Sequence, residues 1–430
     1  MKKIGNTLII SSLFLTFFLW ILAKNSLSEI TAQPIVAVNQ IAALLGTILF
    51  VWSMILATRL DFLETLFGGM DKVYKIHRKV SEIGASLILL HTIALAISSS
   101  GINFRYFLPV HKNQAINMGV YSFWFFAATI LLTLFIRKIK LPYHLWKQTH
   151  KFLNLAMVLA LFHVISIPSD TSVFAPLGIW MYLVTGFGVA SGIYMSFFYK
   201  WFGPKFKYEI VKIDRYGDIH DIYLKPINHK LHHGIAQYAY ISFVSKGVPK
   251  ESHPYCITSL PEDKLLRFSI KELGDYTKKL DKLKVGDNTI IYGPYGHLGE
   301  RFDEEKNSVF IAGGIGIAPF ISMFKKASQK DGNLKVNLFY CTKYKNEAVF
   351  EKELQGIADS NKNLTYSNQC SREPGGYHLT AKQVKECTQN VEDTNLYLCG
   401  PSKMMLHLKK DLIKEGFLKE NIILEDFEMI

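Results

Sequence analysis

The stretch HRKVSEIGASLILLH, residues 77–91, begins and ends with a histidine and becomes increasingly apolar along its length. From His77 to His91 there are 14 residues, which in a helix correspond to a rise of roughly 21 Å and leave the two side chains within about 40° of each other. One helix face would therefore present two imidazoles at two depths. An imidazole in hydrocarbon is costly unless it is paired, hydrogen-bonded or bound to metal, so the pair requires a partner.

This stretch contributes to one of six long apolar runs in the first 200 residues: 8–22, 35–58, 80–98, 118–136, 152–167 and 175–198. A helix needs roughly 20 residues to cross ~30 Å of hydrocarbon, and most of the runs are long enough when their ends extend into the interface. The sequence therefore predicts a six-helix transmembrane bundle. The first run could also be a secretory signal peptide, but Leu22-Ala23-Lys24 lacks a small-residue cleavage pattern, so we expect an uncleaved anchor.

Lysine and arginine are concentrated at the amino terminus, in alternate connections and at the exit from the bundle: Lys2, Lys3; Arg59, Lys72, Lys75, Arg78, Lys79; Arg137, Lys138, Lys140, Lys147, Lys151; Lys200, Lys205, Lys207. The excess of positive charge on the cytoplasmic side of membrane proteins predicts that both termini and everything after residue 200 are cytoplasmic. The same residues account for much of the net charge of +13, so we expect no nucleic-acid partner.

The cysteines favour histidine as the ligand of any redox metal. All five lie after residue 200, with no C-x-x-C pattern: Cys256, Cys341, Cys370, Cys387 and Cys399. An odd number of cysteines in a reducing compartment argues against a disulfide framework, a structural zinc or an iron–sulfur cluster.

A second histidine pair, His150 and His163, lies in and just before the fifth apolar run. This run has the same direction as the third, so His77 pairs with His150 on the cytoplasmic side and His91 with His163 on the outer side. The 13-residue spacing leaves an ideal helix about 140° out of register, so either the helix is locally irregular or its rings approach from different flanks. Two haems with bis-histidine ligation would satisfy all four residues and suit electron transfer.

After Lys205 the pattern changes to short alternating stretches such as 206–213 and 219–224, separated by Gly, Pro and Asp. This pattern predicts a small antiparallel barrel. Within it lies HPYCITS, residues 253–259, a strand that could place an aromatic ring and hydroxyl groups beside a flavin. Lys271 and the amides leading into Thr277 could hold a diphosphate.

From residue 307 the order becomes strand, glycine loop and helix, with GGIGIAP at 313–319. Glycines after a strand let a dinucleotide diphosphate approach a helix amino terminus. Further apolar strands at 335–341, 363–366 and 395–398 predict a parallel sheet covered by helices. No acidic residue follows the first of these strands, and Thr342, Lys343, Lys345 and Arg372 could accept a 2′-phosphate, which favours NADPH over NADH.

Together these motifs resemble the NADPH oxidase and ferric reductase superfamily over nearly the whole chain, and most closely the bacterial NADPH oxidases without a calcium-sensing domain. The resemblance rests on the histidine spacings, HPYCITS, GDYT at 274–277, GPYG at 293–296, GGIGIAPF at 313–320 and LCGP at 398–401. It implies a multidomain membrane protein: a six-helix transmembrane di-haem domain (1–200), an antiparallel β-barrel FAD domain (205–300) and an α/β parallel-sheet NADPH domain (301–430).

Carried over residue by residue, the resemblance implies an FAD site and a nicotinamide site. FAD would contact His253, Pro254, Tyr255, Cys256, Thr258, Ser259, Lys271 and Thr277. The nucleotide would contact Gly313, Gly314, Gly316, Pro319, Cys399, Gly400 and Pro401. Thr258 and Cys399 are expected at the reacting centre, together with Phe427, the nearest candidate for the terminal aromatic residue that covers the flavin in family members. Cys256 replaces the hydroxyl residue usual beside the flavin.

The resemblance implies electron transfer from cytoplasmic NADPH through FAD and two b-type haems to an acceptor outside a bacterial inner membrane. Animal superoxide producers carry an arginine in the second segment and a histidine one turn after the outer ligand, whereas residues 35–58 contain no arginine and Leu95 follows His91. We favour dioxygen, giving superoxide, over a ferric chelate. A third possibility is a membrane cytochrome relay without turnover, which would not need complete flavin and nucleotide modules. The sequence indicates no obligatory protein partner.

Overall fold

The computed structural model describes residues 4–97, 101–302, 306–330 and 334–425. The chain forms two compact units, Met1–Gly203 and Pro204–Ile430. The first unit contains the predicted membrane segments, and the second contains both predicted nucleotide-binding modules.

The membrane unit is entirely helical in its described residues, and the six predicted apolar segments are confirmed as helices long enough to span a bilayer. Residues such as Phe14, Leu134 and Leu183 are more than half exposed on the outside of the bundle, where lipid chains would cover them. The helices are α1 (Ile4–Leu22), α2 (Leu27–Ala32), α3 (Pro34–Leu56), α4 (Asp61–Phe67), α5 (Met70–Ile97), α6 (Gln114–Ile139), α7 (Tyr143–His150), α8 (Phe152–Ser166), α9 (Asp170–Val173), α10 (Ala175–Ile193) and α11 (Tyr199–Phe202), with a 3₁₀ turn at Phe104–Phe107 and a π turn at Tyr194–Phe198.

Small residues let α3 and α5 pack closely. A Cβ atom added to Gly84 of α5 would lie 3.2 Å from the Leu49 Cβ and 3.4 Å from the Gly46 carbonyl oxygen of α3. Van der Waals packing of this kind is one of the forces that drive helix association in a bilayer. The close approach fixes α5, which carries His77 and His91, against α3.

The fifth span is interrupted between α7 and α8, directly after His150 and within the 13-residue interval to His163. The Lys151 amide donates to the Gln148 carbonyl at 3.1 Å, and the Asn154 amide to the Lys151 carbonyl at 3.0 Å. Bonds to the third preceding residue tighten the turn, and each such step rotates the chain by about 120° instead of ~100°. Each tightened step closes only about 20° of the 140° offset, so the local irregularity of the helix accounts for part of it.

The flavin module is an antiparallel six-stranded sheet, which confirms the predicted fold of this region. In the described residues its strands are β1 (Lys205–Tyr216), β2 (Ile219–Pro226), β3 (Tyr238–Val244), β4 (His253–Cys256), β5 (Leu266–Lys271) and β6 (Asn288–Tyr295), in the order β4-β3-β6-β1-β2-β5. An antiparallel bridge between Ile257 and Phe268 joins the segment after β4 to β5, the opposite edge strand. Alternate side chains, such as those of Ile210, Ile222 and Ile241, form a fully buried core.

The nucleotide module is a parallel five-stranded sheet with helices on both faces, as predicted. Strands β7 and β10 are neighbours, and Ala312 pairs with Cys399 at their carboxyl ends. The glycine loop and the LCGP segment therefore leave the sheet at the same edge, where open α/β sheets bind ligands. The described elements are β7 (Ser308–Gly313), α12 (Ala318–Ser328), β8 (Val336–Thr342), α13 (Glu351–Asp359), β9 (Leu364–Cys370), α14 (Ala381–Glu386), β10 (Asn395–Cys399), α15 (Ser402–Lys414) and β11 (Ile422–Glu425), in the order β11-β10-β7-β8-β9.

Candidate functional site

The four intramembrane histidines form two pairs. His91 of α5 lies near His163 of α8, and His77 of α5 lies near His150 of α7. The structure thus brings together the predicted partners at two separate levels of the bundle.

Three of the four imidazoles are oriented by a main-chain carbonyl of a neighbouring helix. Nδ1 of His77 lies 2.9 Å from the Ser53 oxygen, Nδ1 of His91 lies 3.2 Å from the Asn39 oxygen, and Nδ1 of His163 lies 2.7 Å from the Ala115 oxygen. A carbonyl can only accept, so Nδ1 carries the proton and the lone pair is on Nε2. This is the tautomer in which histidine binds a metal through Nε2.

The members of the His77–His150 pair have different surroundings. The Ser53 hydroxyl lies 3.2 Å from Nδ1 of His77 and 2.7 Å from the Ser81 hydroxyl, which in turn donates to the His77 carbonyl at 2.6 Å. For His150, Nδ1 is buried and has no hydrogen-bond partner among the described residues. Its ring centroid lies 5.0 Å from that of Trp146. His77 is therefore more firmly oriented than its partner.

A glycine keeps space beside the His163 ring. A Cβ atom added to Gly119 of α6 would lie 2.8 Å from His163 Nδ1. The paired imidazoles, the three fixed tautomers and this glycine fit bis-histidine ligation of haem. No sequence motif marks Ser53, Ser81 or Gly119, and the one local signal is Ser81, a polar residue one turn after His77.

On the flavin strand β4, His253 and Tyr255 are only partly buried. His253 Nε2 lies 2.9 Å from a Glu251 carboxylate oxygen, and its ring centroid lies 4.0 Å from that of Tyr276. Burial, reinforced by the nearby Cys399 and Glu425, raises the pKa of the Cys256 thiol, so this group remains protonated at neutral pH. Pro254 is partly buried on the same strand.

The hydroxyl groups after β4 face the interior of the sheet. The Thr258 side chain is fully buried and donates to the Arg267 carbonyl at 3.1 Å, and the Ser259 hydroxyl accepts from the Arg267 amide at 3.1 Å. Both groups hold the end of the flavin strand against β5. In this conformation Thr258 has no exposed surface to offer a flavin, so its contribution is to position the strand.

The predicted diphosphate loop is organised around Thr277. Its Oγ1 accepts hydrogen bonds from the amides of Leu273 at 2.8 Å and Gly274 at 3.0 Å. Lys271 Nζ lies 3.3 Å from an Asp218 carboxylate oxygen in a partly exposed ion pair. The loop is thus shaped by a side chain, with a lysine beside its start.

Nearby, His220, Glu272 and Asp281 place ligand atoms within 4.8 Å of one another, the sole such trio among the described residues. Arg215 lies 3.1 Å from Glu272 and 2.5 Å from Asp281. The guanidinium already supplies the positive charge that these carboxylates attract, so the trio forms an ion-pair cluster.

At the nucleotide edge, the glycine loop and the LCGP segment pack backbone against backbone. A Cβ atom on Gly316 would lie 2.3 Å from the Cys399 carbonyl oxygen, and one on Gly313 would lie 2.7 Å from Pro401 Cδ. Gly400 has a φ of 156°, and its Cβ would lie 2.9 Å from Gly313. Gly314 and Gly316 form a 3₁₀ turn that leads into α12, which has Pro319 in its first turn. A diphosphate can therefore approach this helix amino terminus closely.

The residues predicted to accept a 2′-phosphate lie together at the ends of β8 and β9. The Arg372 amide donates to the Lys343 carbonyl at 2.9 Å, and the side chains of both residues are exposed. Thr342 is buried and donates to Asn368 at 3.1 Å. Two cations are thus available at this edge. Phe427 lies outside the described residues.

Three protein families match successive parts of the chain. Residues 42–161 match the ferric reductase like transmembrane component, 204–317 an FAD-binding domain and 310–410 an oxidoreductase NAD-binding domain. The combination of these three matches is the one expected from the motifs.

Individual relatives resemble only parts of the chain in sequence. Flavohemoprotein B of Dictyostelium discoideum is 32% identical over 40% of this chain and 44% of its own length, and flavohemoprotein A of the same organism is 27% identical over 50% and 58%. The chain thus spans about half the length of these relatives. A flavohemoglobin structure from Malassezia yamatoensis with bound FAD and heme is 18% identical with a TM-score of 0.50, over 91% of this chain and 97% of that one, a likeness of fold.

Proposed function

We propose that this chain, a member of the NADPH oxidase and ferric reductase-like flavocytochrome superfamily, moves electrons from cytoplasmic NADPH across a bacterial inner membrane to an acceptor outside. The chain is a multi-pass membrane oxidoreductase with FAD-binding and NAD-binding domains. The observation that carries the proposal is the arrangement of four histidines in two pairs, three of them oriented by main-chain carbonyl groups.

The residues of the chain bind and orient the cofactors. Bound flavin supplies the conversion of a two-electron donor into single electrons, and bound haem supplies single-electron transfer through the membrane. His77 and His150 would hold the inner haem, and His91 and His163 the outer one. The proposed division is a di-haem domain (1–200), an FAD domain (205–300) and an NADPH domain (301–430).

In the cytoplasmic modules, the glycine loop and Gly400 let the nucleotide approach the backbone, and Cys399 lies at the edge where nicotinamide would meet the flavin. NADPH is proposed over NADH because Lys343 and Arg372 are exposed next to each other at the strand ends. A guanidinium and an ammonium group there would form charge-assisted hydrogen bonds to a 2′-phosphate.

Dioxygen, reduced to superoxide, is the acceptor that we propose, with a ferric chelate as the alternative. The test is NADPH consumption by detergent-purified protein supplied with FAD and haem. Superoxide production predicts cytochrome c reduction that superoxide dismutase suppresses. A rate that appears only with ferric chelate under anaerobic conditions would overturn dioxygen, and no NADPH oxidation with either acceptor would favour a relay subunit.

The proposed ligands can be tested separately from the acceptor. In His91→Ala and His163→Ala the outer haem is expected to be lost, while reduction of the flavin by NADPH survives because it precedes the membrane steps. His111→Ala is a matched control, since its Nε2 bonds to the Arg105 carbonyl in a loop between spans. Two six-coordinate haems in both ligand variants would refute the assignment.

A further inference from the structure

A buried arginine joins the flavin module to the nucleotide module. Arg267 of β5 has a side chain only 8% exposed and lies between Asp221 of β2, which is fully buried, and Glu353 of α13. Its Nη atoms donate to the two Glu353 oxygens at 2.7 and 2.9 Å, and its Nε donates to the Asp221 carboxylate at 2.9 Å. Bidentate bonding of this kind fixes orientation as well as distance.

The backbone of Arg267 holds the end of the flavin strand. Its carbonyl accepts from the Thr258 amide at 2.9 Å and from the Thr258 hydroxyl at 3.1 Å. Its amide donates to the Ser259 hydroxyl at 3.1 Å. Any displacement of Arg267 is therefore transmitted to the HPYCITS segment.

On the nucleotide side, the contact reaches the helix that follows the glycine loop. Lys325 of α12 lies 2.8 Å from the same Glu353 carboxylate. A continuous set of hydrogen bonds thus runs from Ser259 through Arg267 and Glu353 to Lys325. Its two ends are Ser259, in the segment expected to hold the flavin, and Lys325, in the last turn of the helix that begins after the glycine loop.

The network is neutral and well satisfied, as a buried charged cluster must be to persist. Asp221 accepts from Ser269 Oγ at 2.8 Å and from the Tyr223 hydroxyl at 3.0 Å, in addition to Arg267. Two carboxylates, Asp221 and Glu353, balance two cations, Arg267 and Lys325. Removing Glu353 would leave Arg267 with one carboxylate, Asp221, instead of two.

We propose that Arg267, acting through Glu353, is a positioning residue that sets the register between the nicotinamide site and the flavin strand. The inference rests on the proposed function and extends it to residues outside both cofactor motifs. In the structure Cys256 of the flavin strand lies near Cys399 of the nucleotide edge. The nicotinamide and the flavin ring would therefore meet beside these two residues. Hydride transfer is sensitive to this geometry, because misplacement by 1 Å can lower a rate by about 100-fold.

The test compares Glu353→Gln with wild type in the full-length, FAD-loaded protein. Glu353 is suitable because its side chain is 27% exposed and glutamine keeps its shape, whereas replacing Arg267 endangers folding. We expect anaerobic flavin reduction by saturating NADPH, followed by stopped flow, to slow by about tenfold to 100-fold. FAD content, reduction by dithionite and the Kd for NADPH should stay within about twofold.

Two further variants keep the result interpretable. Glu415→Gln removes a partner of the exposed Lys385 ion pair in the same module and should leave the rate unchanged. Lys325→Met keeps the bidentate Arg267–Glu353 contact and should slow flavin reduction less than Glu353→Gln.

A wild-type rate in Glu353→Gln would overturn the inference, as would a slower rate that is fully explained by lost FAD. If NADPH fails to reduce the flavin of the wild-type protein, the proposed function fails instead. The two failures are thus distinguishable in one experiment, which needs neither haem nor an external acceptor.

Discussion

Replacing Gly119 by alanine should selectively weaken the proposed haem site at His91 and His163. The added Cβ would lie 2.8 Å from His163 Nδ1, whereas ordinary van der Waals contact begins at 3.4 Å. The ring must therefore move by about 0.6 Å, the difference between these two distances. Gly186→Ala in α10 is the matched control, because a Cβ there meets nothing within 4 Å.

The size of the effect follows from the bond between His163 and the Ala115 carbonyl. Its length is 2.7 Å, and a movement of 0.6 Å away from the oxygen lengthens it to about 3.3 Å, beyond the usual range for such bonds. Losing a partner that orients a metal ligand typically lowers metal affinity by about tenfold to 100-fold. Both variants gain the same helix propensity, at most ~1 kcal/mol, so their difference isolates the steric term.

The assay is the haem content per polypeptide after detergent purification, measured as the pyridine haemochrome, together with an optical redox titration. Gly119→Ala should fall from two haems towards one and lose one redox component, while NADPH still reduces the flavin. Gly186→Ala should match wild type. Two haems with unchanged titration curves in Gly119→Ala would refute the role of His163 and the contact that motivates the change.

Three further predictions concern the FAD-binding and NAD-binding domains. Gly316→Ala should slow flavin reduction by NADPH at least about tenfold, because its Cβ would lie 2.3 Å from a carbonyl oxygen. Gly356→Ala on α13 is the control, since a Cβ there meets nothing within 4 Å. Equal stopped-flow rates of flavin reduction in the two variants would contradict the prediction. Lys343→Glu or Arg372→Ala should raise the KM for NADPH about tenfold or more and leave that for NADH unchanged, so a parallel change in both would exclude a 2′-phosphate contact. Burial opposes ionisation of Glu353, but hydrogen bonds and charge from Arg267, with help from Lys325, outweigh it and lower the pKa of Glu353 from 4.5 to about 2. The resulting stabilisation of the fold, at most ~3 kcal/mol, is present above pH 4.5 and is lost as the pH falls towards 2. The thermal unfolding temperatures of wild type and Glu353→Gln should therefore converge in acid.

The features that sequence predicts best here are those with a local cause. Apolar runs predict membrane helices because length and hydrophobicity are properties of each segment. The glycines at 313–316 predict a nucleotide-binding loop because a tight turn and a close backbone approach leave no room for side chains. The spacing of His150 and His163 allowed two arrangements, since a few 3₁₀-type bonds around Lys151 depend on how the helix is packed. The burial of Arg267 has no local signal either, because its partners Asp221 and Glu353 are 46 and 86 residues away.

The partners of the histidines could not be predicted for a different reason: they are main-chain groups. Every residue has a carbonyl, and a helical carbonyl retains a second lone pair after accepting a hydrogen bond from the amide four residues later. Ser53, Asn39 and Ala115 can therefore orient imidazoles whatever their side chains are. The carbonyl that accepts the imidazole hydrogen bond is therefore retained in most substitutions at these three positions. A change in the spacing between helices would disturb this hydrogen bond. Gly119, which sets the distance between α6 and His163, is for this reason the more sensitive position.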